Sequence, residues 1–317
     1  MQKRSLGNSD IQIAPMVFGG NVFGWTVDQK QSYSLLDGCV DLGINMIDSA
    51  NVYSAWVDGN EGGESEAVIG NWLSQSGKRD QVLLATKVGI PMGDDPGGLS
   101  KQSIIKAAED SLKRLKTDYI DVYYAHRDDP DVTFDETFSA FEQLIKDGKV
   151  RAIASSNYSA ERLKAAITFA QENHLPQFVA HQPEYNLFDR SGYEKALEPV
   201  CRDLSVGVVT YFSLASGFLS GKYRTKKDLE QSSRGAGFLE KYLTDRGLKI
   251  LKALDEVASQ HNSNPAAVAL AWIAHRSSIT APIASATTLP QLEQLANAAM
   301  LTLTEADMAC LNDASAY

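Results

Sequence analysis

The sequence predicts a (β/α) barrel of eight parallel strands, and three observations point to it. Apolar runs of strand length alternate with amphipathic helical segments from one end of the 317-residue chain to the other. The alternation gives eight such runs. They are near-continuously apolar, as parallel strands covered on both faces must be. This many strand–helix alternations suit a single barrel spanning residues 1–317 better than two domains. A doubly wound open sheet is the structural alternative.

The elements follow in order. Residues 1–14 precede the first barrel strand, and Leu6-Gly7-Asn8-Ser9-Asp10 reads as a turn between two short extended pieces. A small hairpin closing the barrel bottom is expected there. The barrel strands are expected at Met16–Gly19, Ile44–Asp48, Val82–Lys87, Ile120–Ala125, Val150–Ser155, Phe178–His181, Gly207–Tyr211 and Thr280–Ile283. Between the third and fourth, Ile104, Ala107, Ala108, Leu112 and Leu115 recur at helical spacing. Thr133-Phe134-Asp135-Glu136 has the pattern of a capping box, opening a helix that ends near Gly148. Asn264-Pro265 is an N-cap followed by Pro at the first helical position. Asp94-Asp95-Pro96-Gly97-Gly98 is a turn-rich loop. Residues 212–240, after the seventh strand, form the longest stretch without barrel periodicity, and a stretch of that length is expected to be functional or disordered.

Composition excludes several functions. Hydrophobic residues make up 44% and charged residues 22%, an ordinary globular balance. A net charge of −10 argues against a nucleic-acid partner. Met1-Gln2-Lys3-Arg4-Ser5 leads into no apolar stretch, so no signal peptide is expected. Nor does any run reach the length of a membrane span. The three cysteines, Cys39, Cys201 and Cys310, are scattered, and are read as reduced and structural in a cytoplasmic protein. No metal-ligand spacing appears among the five histidines.

Four polar residues close strands or follow them at the end where barrels collect reacting groups. Asp48 ends Ile44-Asn45-Met46-Ile47-Asp48, Tyr53 follows five residues later, Lys87 ends Val82–Lys87, and His126 follows Ile120–Ala125. Any one of Asp48, Lys87 or His126 alone reads equally well as a strand-end residue in an ion pair. Together with Tyr53 they suggest a proton-delivery system. A cation beside a phenol favours phenolate, Asp48 keeps Lys87 charged, and His126 steers a substrate oxygen. The reaction expected is reduction of a carbonyl, with Tyr53 as acid.

Nucleotide motifs are weak. Gly19-Gly20-Asn21-Val22-Phe23-Gly24 lacks the dinucleotide spacing. Gly217-Phe218-Leu219-Ser220-Gly221-Lys222-Tyr223 is one residue short of a P-loop, though Gly221-Lys222 suits a phosphate. Phe23, Trp25 and Trp56 follow the first two strands on the reactive side and are read as walls of an apolar pocket, or as loop packing. Arg127 is read either as a contact to an acidic substrate or as a brace for Asp128-Asp129-Pro130.

Dispersed motifs make the reading specific. They are Gly43-Ile44-Asn45-Met46-Ile47-Asp48-Ser49-Ala50-Asn51-Val52-Tyr53, Gly63-Glu64-Ser65-Glu66 with Ile69-Gly70, Thr86-Lys87, His126-Arg127, and Gly148-Lys149-Val150-Arg151. Further on come Ser156-Asn157, Gln182, Asn186, Tyr211 and Leu219-Ser220-Gly221-Lys222-Tyr223. In these the sequence resembles the aldo-keto reductases over nearly its whole length, and within them the bacterial branch that includes potassium-channel β subunits.

The resemblance implies an eight-stranded barrel and the tetrad Asp48, Tyr53, Lys87 and His126. It implies Ser156, Asn157 and Gln182 on a nicotinamide carboxamide and Tyr211 stacked on its ring. Ser213, Leu214, Gly217 and Leu219 would cradle the pyrophosphate, Gly20 and Gly221 would also contact the cofactor, and Ser285, Thr287, Gln291 and Gln294 would lie along the adenosine. Ser285 stands where the family often has Gly, and Leu295 where it often has Asn. Lys222 and Arg234 match basic residues of the family's long loop, and a cation facing a 2′-phosphate makes charge-assisted bonds. NADP(H) is therefore favoured, with NAD(H) the alternative. A solvated face is the plain reading of Lys222-Tyr223-Arg224 and Lys226-Lys227. The substrate expected is a small aldehyde or ketone. Two other functions remain as rivals: a Schiff-base aldolase using Lys87, and a redox-sensing module that keeps the cofactor but works through a partner.

Overall fold

A computed structural model describes residues 1–230 and 236–317. Two short antiparallel strands, β1 (Arg4–Ser5) and β2 (Gln12–Ile13), form the hairpin. Eight parallel strands then follow: β3 (Val17–Gly19), β4 (Met46–Asp48), β5 (Leu83–Val88), β6 (Ile120–Ala125), β7 (Val150–Ser156), β8 (Phe178–Gln182), β9 (Gly207–Thr210) and β10 (Ala281–Ala284). They close into a barrel in sequence order, with β10 pairing both β9 and β3. The expected strands all appear, displaced by at most two residues at either end.

The helices are α1 (Gln29–Asp41), α2 (Glu64–Ser76), α3 (Lys101–Leu115), α4 (Phe134–Lys146), α5 (Ala160–Glu172) and α6 (Glu198–Asp203), then α7 (Lys226–Leu229), α8 (Ala236–Glu240), α9 (Asp245–Gln260), α10 (Pro265–Ala274), α11 (Leu289–Ala298) and α12 (Glu305–Ala314). The described parts of residues 212–240 thus hold more regular structure than their lack of periodicity suggested. They carry a 3-10 turn at Ala215–Ser220 as well as α7 and α8, each too short to repeat a helical pattern.

Caps fix where helices begin. Asn264 accepts from the Ala267 amide at 3.0 Å, with Pro265 filling the first position. Thr133 caps α4 through the Glu136 amide at 3.3 Å. The expected reciprocal half is replaced: the Glu136 carboxylate accepts from the Lys101 amide at 2.9 Å, tying α4 to the start of α3.

The core has two layers. Outward-facing strand residues pack under the helices, and a second cluster fills the barrel. Met46, Ala85, Val122, Tyr124, Ala154 and Ala180 face inward. Because side chains alternate along a strand, the next inward positions are Asp48, Lys87, His126, Ser156 and Gln182. The inward rows are apolar below and turn polar at the C-terminal end, which is how the barrel builds a site without burying charge in its middle. From below, Leu6, Ile11 and Ile13 of the hairpin join the inner cluster, each contributing about 1.5–3 kcal/mol by burial. Gly7 makes this seat possible. At φ +60°, a Cβ there would fall 2.1 Å from the Val179 carbonyl oxygen.

His181 on β8 faces the outer layer. Its Nδ1 lies 2.9 Å from the Ser155 hydroxyl, and its Nε2 is buried with no hydrogen-bond partner among the described residues. Burial pushes its pKa from 6.5 down to about 3, and a backbone hydrogen bond at Ser155 opposes the shift. The neutral ring is compatible with folding, whereas the unfolded chain takes up a proton below pH 6.5. Stability is therefore expected to decline as pH falls from 6.5 toward 3. Thermal melts of the wild type and a His181→Asn variant over this range measure it. The variant's dependence should be shallower, and equal slopes would refute the assignment.

Candidate active site

Asp48 ends β4 and Lys87 lies one residue before the end of β5, and the strand register brings them together. Both side chains are buried. Lys87 Nζ donates to Asp48 Oδ2 at 2.6 Å, to the Ser49 carbonyl at 2.8 Å and to the Tyr53 hydroxyl at 2.9 Å. Its three protons thus have three acceptors. Tyr53, half-buried on the turn after β4, also lies 3.5 Å from Asp48 Oδ2. Gln182 Nε2 donates to Asp48 Oδ1 at 3.0 Å. A carboxylate only accepts, so the amide nitrogen is assigned to this side.

These neighbours set the protonation states. Burial disfavours charge on Lys87, but Asp48 and Tyr53 together outweigh it and its pKa lies above the ordinary value. Burial is also the largest influence on Tyr53 and raises it. Lys87 opposes the rise and Asp48 adds to it, so the phenol is held protonated above its usual range. Lysine proximity alone suggests the opposite net direction, and desolvation is what reverses it. His126 is pushed well below its ordinary value by burial first, and then by the charges of Lys87 and Arg127. It is neutral. Its Nδ1 is buried without a hydrogen-bond partner among the described residues. A proton there would strand a donor, so the N–H is assigned to Nε2.

The neighbouring strand ends contribute Ser156 and Asn157. Ser156 Oγ donates to the Gln182 carbonyl at 2.8 Å. Asn157, at φ +57°, donates to the His126 carbonyl at 2.9 Å and accepts from the Tyr211 hydroxyl at 2.8 Å. Beyond Tyr211 the backbone is unusual. Phe212, Ala215, Ser216 and Gly217 have φ of 50°, 49°, 57° and 96°. Left-handed conformations at non-glycine residues carry strain that collects at ligand sites. Ser213 is buried, with its hydroxyl on the Thr210 carbonyl at 3.0 Å. Leu214 packs at the edge of the core, and Leu219 is wholly buried within it.

Other expected residues are placed as follows. Gly20 lies where an added Cβ would meet Ser65 Oγ at 3.1 Å and the Asp48 carbonyl at 3.2 Å. Gly221 is left-handed at φ +80°. Lys222 is exposed, its Nζ 4.8 Å from the centre of the Tyr223 ring, while Tyr223 itself is buried. Arg224 instead pairs with Asp255 at 2.8 Å. Arg234 lies outside the described residues. Ser285 Oγ is 2.7 Å from both the Gly19 carbonyl and Asn21 Oδ1, closing the β10–β3 seam. Gln291 Oε1 accepts from the Thr287 amide at 2.8 Å, and Gln294 is exposed. Leu295 is buried, which accounts for an apolar residue there.

Two expectations about the rim change. Phe23 is a core residue, stacked on Phe18 with ring centres 5.6 Å apart and no exposed surface. It cannot wall an open pocket in this conformation. Trp25 and Trp56 do meet, edge to face at 5.7 Å, and Trp56 lies 5.9 Å from Tyr53. Arg127 does not brace the following loop. Arg162 holds Asp128 through bonds of 2.7 and 2.8 Å, and Asp129 accepts from the Leu99 amide at 2.8 Å. Arg127 is exposed and makes no ion pair among the described residues.

Sequence reasoning quoted Ser49, Ser65, Glu66 and Thr86 within motifs but gave them no role; they join the strand ends from outside the barrel. It likewise gave no role to Tyr124, whose buried ring lies 5.8 Å from Lys87 Nζ. The period-2 alternation was the available signal: it turns Thr86 outward and Tyr124 inward.

The ion-paired polar cluster at the C-terminal ends of the parallel strands lies on the face where barrel enzymes carry their active sites. Comparison with known proteins specifies which kind. The Aldo/keto reductase family profile matches residues 15–316, and this chain belongs to that family. It is 33% identical over 320 residues to "Uncharacterized oxidoreductase YrpG" of Bacillus subtilis, covering 99% of this chain and 95% of that protein. It is 33% identical over 297 residues to a "Probable voltage-gated potassium channel subunit beta" of Oryza sativa subsp. japonica, covering 90% and 88%. Identity is 30% over 304 residues to "L-glyceraldehyde 3-phosphate reductase" of Escherichia coli K12, covering 93% and 86%. Family and relatives together mark the chain as an oxidoreductase. Among the described residues, no helix is long and apolar enough to cross a membrane, and no cluster of His, Cys, Asp and Glu has a metal-holding arrangement.

Proposed function

We propose that this protein reduces small aldehydes or ketones to alcohols, reversibly, with NADP(H) as cofactor and Tyr53 as general acid. The observation that carries the proposal is the Lys87 ammonium bonded at once to Asp48 and to the Tyr53 hydroxyl, beside a neutral His126.

The donor set suits a nicotinamide. Ser156 and Gln182 are register partners on β7 and β8, so hydroxyl and amide groups converge beside Asp48 and match a carboxamide. Asn157 would exchange its bond from Tyr211 to join them. The left-handed backbone at Ala215–Gly217 and the exposed Lys222 suit the phosphate side. A bound nicotinamide supplies the hydride. The protein supplies the proton and the field. The Tyr53 hydroxyl gives its proton to the developing alkoxide, and the His126 Nε2 hydrogen steers the same oxygen. Lys87 stabilises the phenolate left behind, and Asp48 holds Lys87 charged. Trp25 and Trp56 would contact the substrate, and exposed Arg127 suits one with an acidic group.

The Schiff-base reading fits poorly, because a nucleophilic lysine must be neutral and the surroundings of Lys87 raise its pKa. The sensing reading has one point in its favour: some relatives at 33% identity are named as channel subunits. Following NADPH oxidation across a panel of aldehydes and ketones tests the main proposal. No oxidation with any of them would sink it.

Cofactor choice is tested separately. Arg234→Ala is expected to weaken NADPH by about 1.5–3 kcal/mol, the usual value of a hydrogen bond to a charged group, and NADH hardly at all. Fluorescence titration of both nucleotides reads this out. Equal losses would remove Arg234 from the phosphate, and tighter NADH binding by the wild type would overturn the choice of NADP(H).

A further inference from the structure

We propose that the first turn of α2 is a positioning element for the reaction, holding from outside the barrel the strand ends that carry Asp48 and Lys87. The inference rests on the role given to Tyr53 and Lys87 above.

Alternation turns Asp48 and Lys87 inward and their neighbours Ser49 and Thr86 outward. Both neighbours meet consecutive residues of α2. Ser65 Oγ is 2.9 Å from Ser49 Oγ and donates to the Gly20 carbonyl at 2.8 Å, so one hydroxyl touches the ends of β3 and β4. Thr86 Oγ1 donates to Glu66 Oε1 at 2.5 Å, which ties down β5. Glu66 has no exposed surface. Its other oxygen accepts from Arg114 Nε at 2.7 Å, so its charge is paired and its direction fixed. Gly70 lets α2 approach α3 closely enough for this pair, since a Cβ there would lie 2.1 Å from the Arg114 carbonyl oxygen.

One helical turn thus spans three adjacent strand ends. It fixes the lateral separation of β4 and β5 one residue away from the Asp48–Lys87 contact. Lys87 Nζ has all its protons committed at 2.6–2.9 Å, so a displacement of a few tenths of an ångström must lengthen one of these bonds. Within this turn the Glu66 carboxylate bonds, among the described residues, only to Thr86 and Arg114, neither of them on the cofactor side, whereas Ser65 also holds the Gly20 carbonyl. Loosening the Thr86–Glu66 contact should therefore appear in the proton-transfer step and not in nucleotide binding.

The test compares Thr86→Val, which removes only the hydroxyl, with Thr86→Ser, which restores it. Thr86→Val is expected to lower kcat by about tenfold or more with nucleotide Kd unchanged, the pattern of an interaction lost in the transition state. It should also move the alkaline limb of the alcohol-oxidation pH profile upward, as Lys87 stabilises phenolate less well. In the nucleotide-free protein, the lysine NH3⁺ nitrogen–proton NMR signal that disappears in Lys87→Met should broaden in Thr86→Val. Thr86→Ser should recover all three properties. Ser65→Ala, which strands no charge but also frees the Gly20 carbonyl, should lower kcat and move the profile in the same direction, and these two readouts carry the test if Thr86→Val does not fold. Normal kcat, profile and lysine signal in these variants would overturn the proposal. So would losses shared equally by kcat and nucleotide affinity in Thr86→Val, or a Thr86→Ser that fails to rescue. A Tyr53→Phe protein with full turnover would instead refute the underlying mechanism, whatever Thr86 variants do.

Discussion

Tyr53→Phe is expected to lower aldehyde turnover by roughly 10²- to 10⁴-fold, the range for loss of a general acid. Nucleotide binding should survive. The substitution removes one hydroxyl and keeps the ring, whose edge contacts with Trp56 and His126 lie at 5.9 and 6.1 Å. Lys87 loses one acceptor of three but retains Asp48 and the Ser49 carbonyl, so the site should keep its shape. The raised pKa of Tyr53 adds a pH signature. Reduction needs the phenol and should run evenly through neutral pH, falling only in alkali. Oxidation needs phenolate and should still be rising there. Steady-state rates in both directions, with nucleotide titrations of the variant, test this. Near-normal turnover would remove Tyr53 from the chemistry.

Lys87→Met has the largest expected effect on stability. It leaves the Asp48 carboxylate buried, with Gln182 as its firm remaining donor. Breaking a buried ion pair from one side costs about 3–5 kcal/mol, because the surviving charge is uncompensated. Denaturant unfolding should show a loss of that order, and Asp48→Asn in the same chain should recover part of it. The catalytic consequence has a direction too. Lys87 is the strongest influence lowering the Tyr53 pKa, so alcohol oxidation by the variant should need higher pH as well as being slower. A uniform drop at every pH would mean that Lys87 only positions Tyr53. Recovery of stability by Asp48→Asn without recovery of rate would separate folding from function.

The barrel was legible because its signals are local and repeat. Ile120–Ala125, for example, is apolar but for Asp121, and it sits between helices capped by Ser100 and Thr133. The tetrad was legible for a related reason: inward and outward positions alternate, so Asp48, Lys87 and His126 fall on one side of their strands by count alone. What escaped depends on three-dimensional proximity. The Glu136 carboxylate had a good local partner in the Thr133 amide and took the Lys101 amide from another helix. Phe23 follows a strand as Trp25 does, yet its ring turns into the core against Phe18. Ser65 and Glu66 stood in a quoted motif, but only the packing of α2 on β4 and β5 shows what they touch. The pull of Lys87 on the Tyr53 phenol was legible in the sequence, and the burial that outweighs it was not.

The hairpin under the barrel bears on how the chain assembles. Leu6, Ile11 and Ile13 come early in the sequence, but the inner cluster they join includes Ala180, Val209 and Ile283 of late strands, and Gly7 beside Leu6 meets Gly207 back to back. On the ribosome these apolar side chains must wait, uncovered, until β8 and β9 have been made. Contacts so distant in sequence slow folding, because a long loop must close before they form. Exposed apolar segments during that interval also invite aggregation. The floor of the barrel is therefore completed late, and fast translation or scarce chaperones should reduce yield before they touch activity.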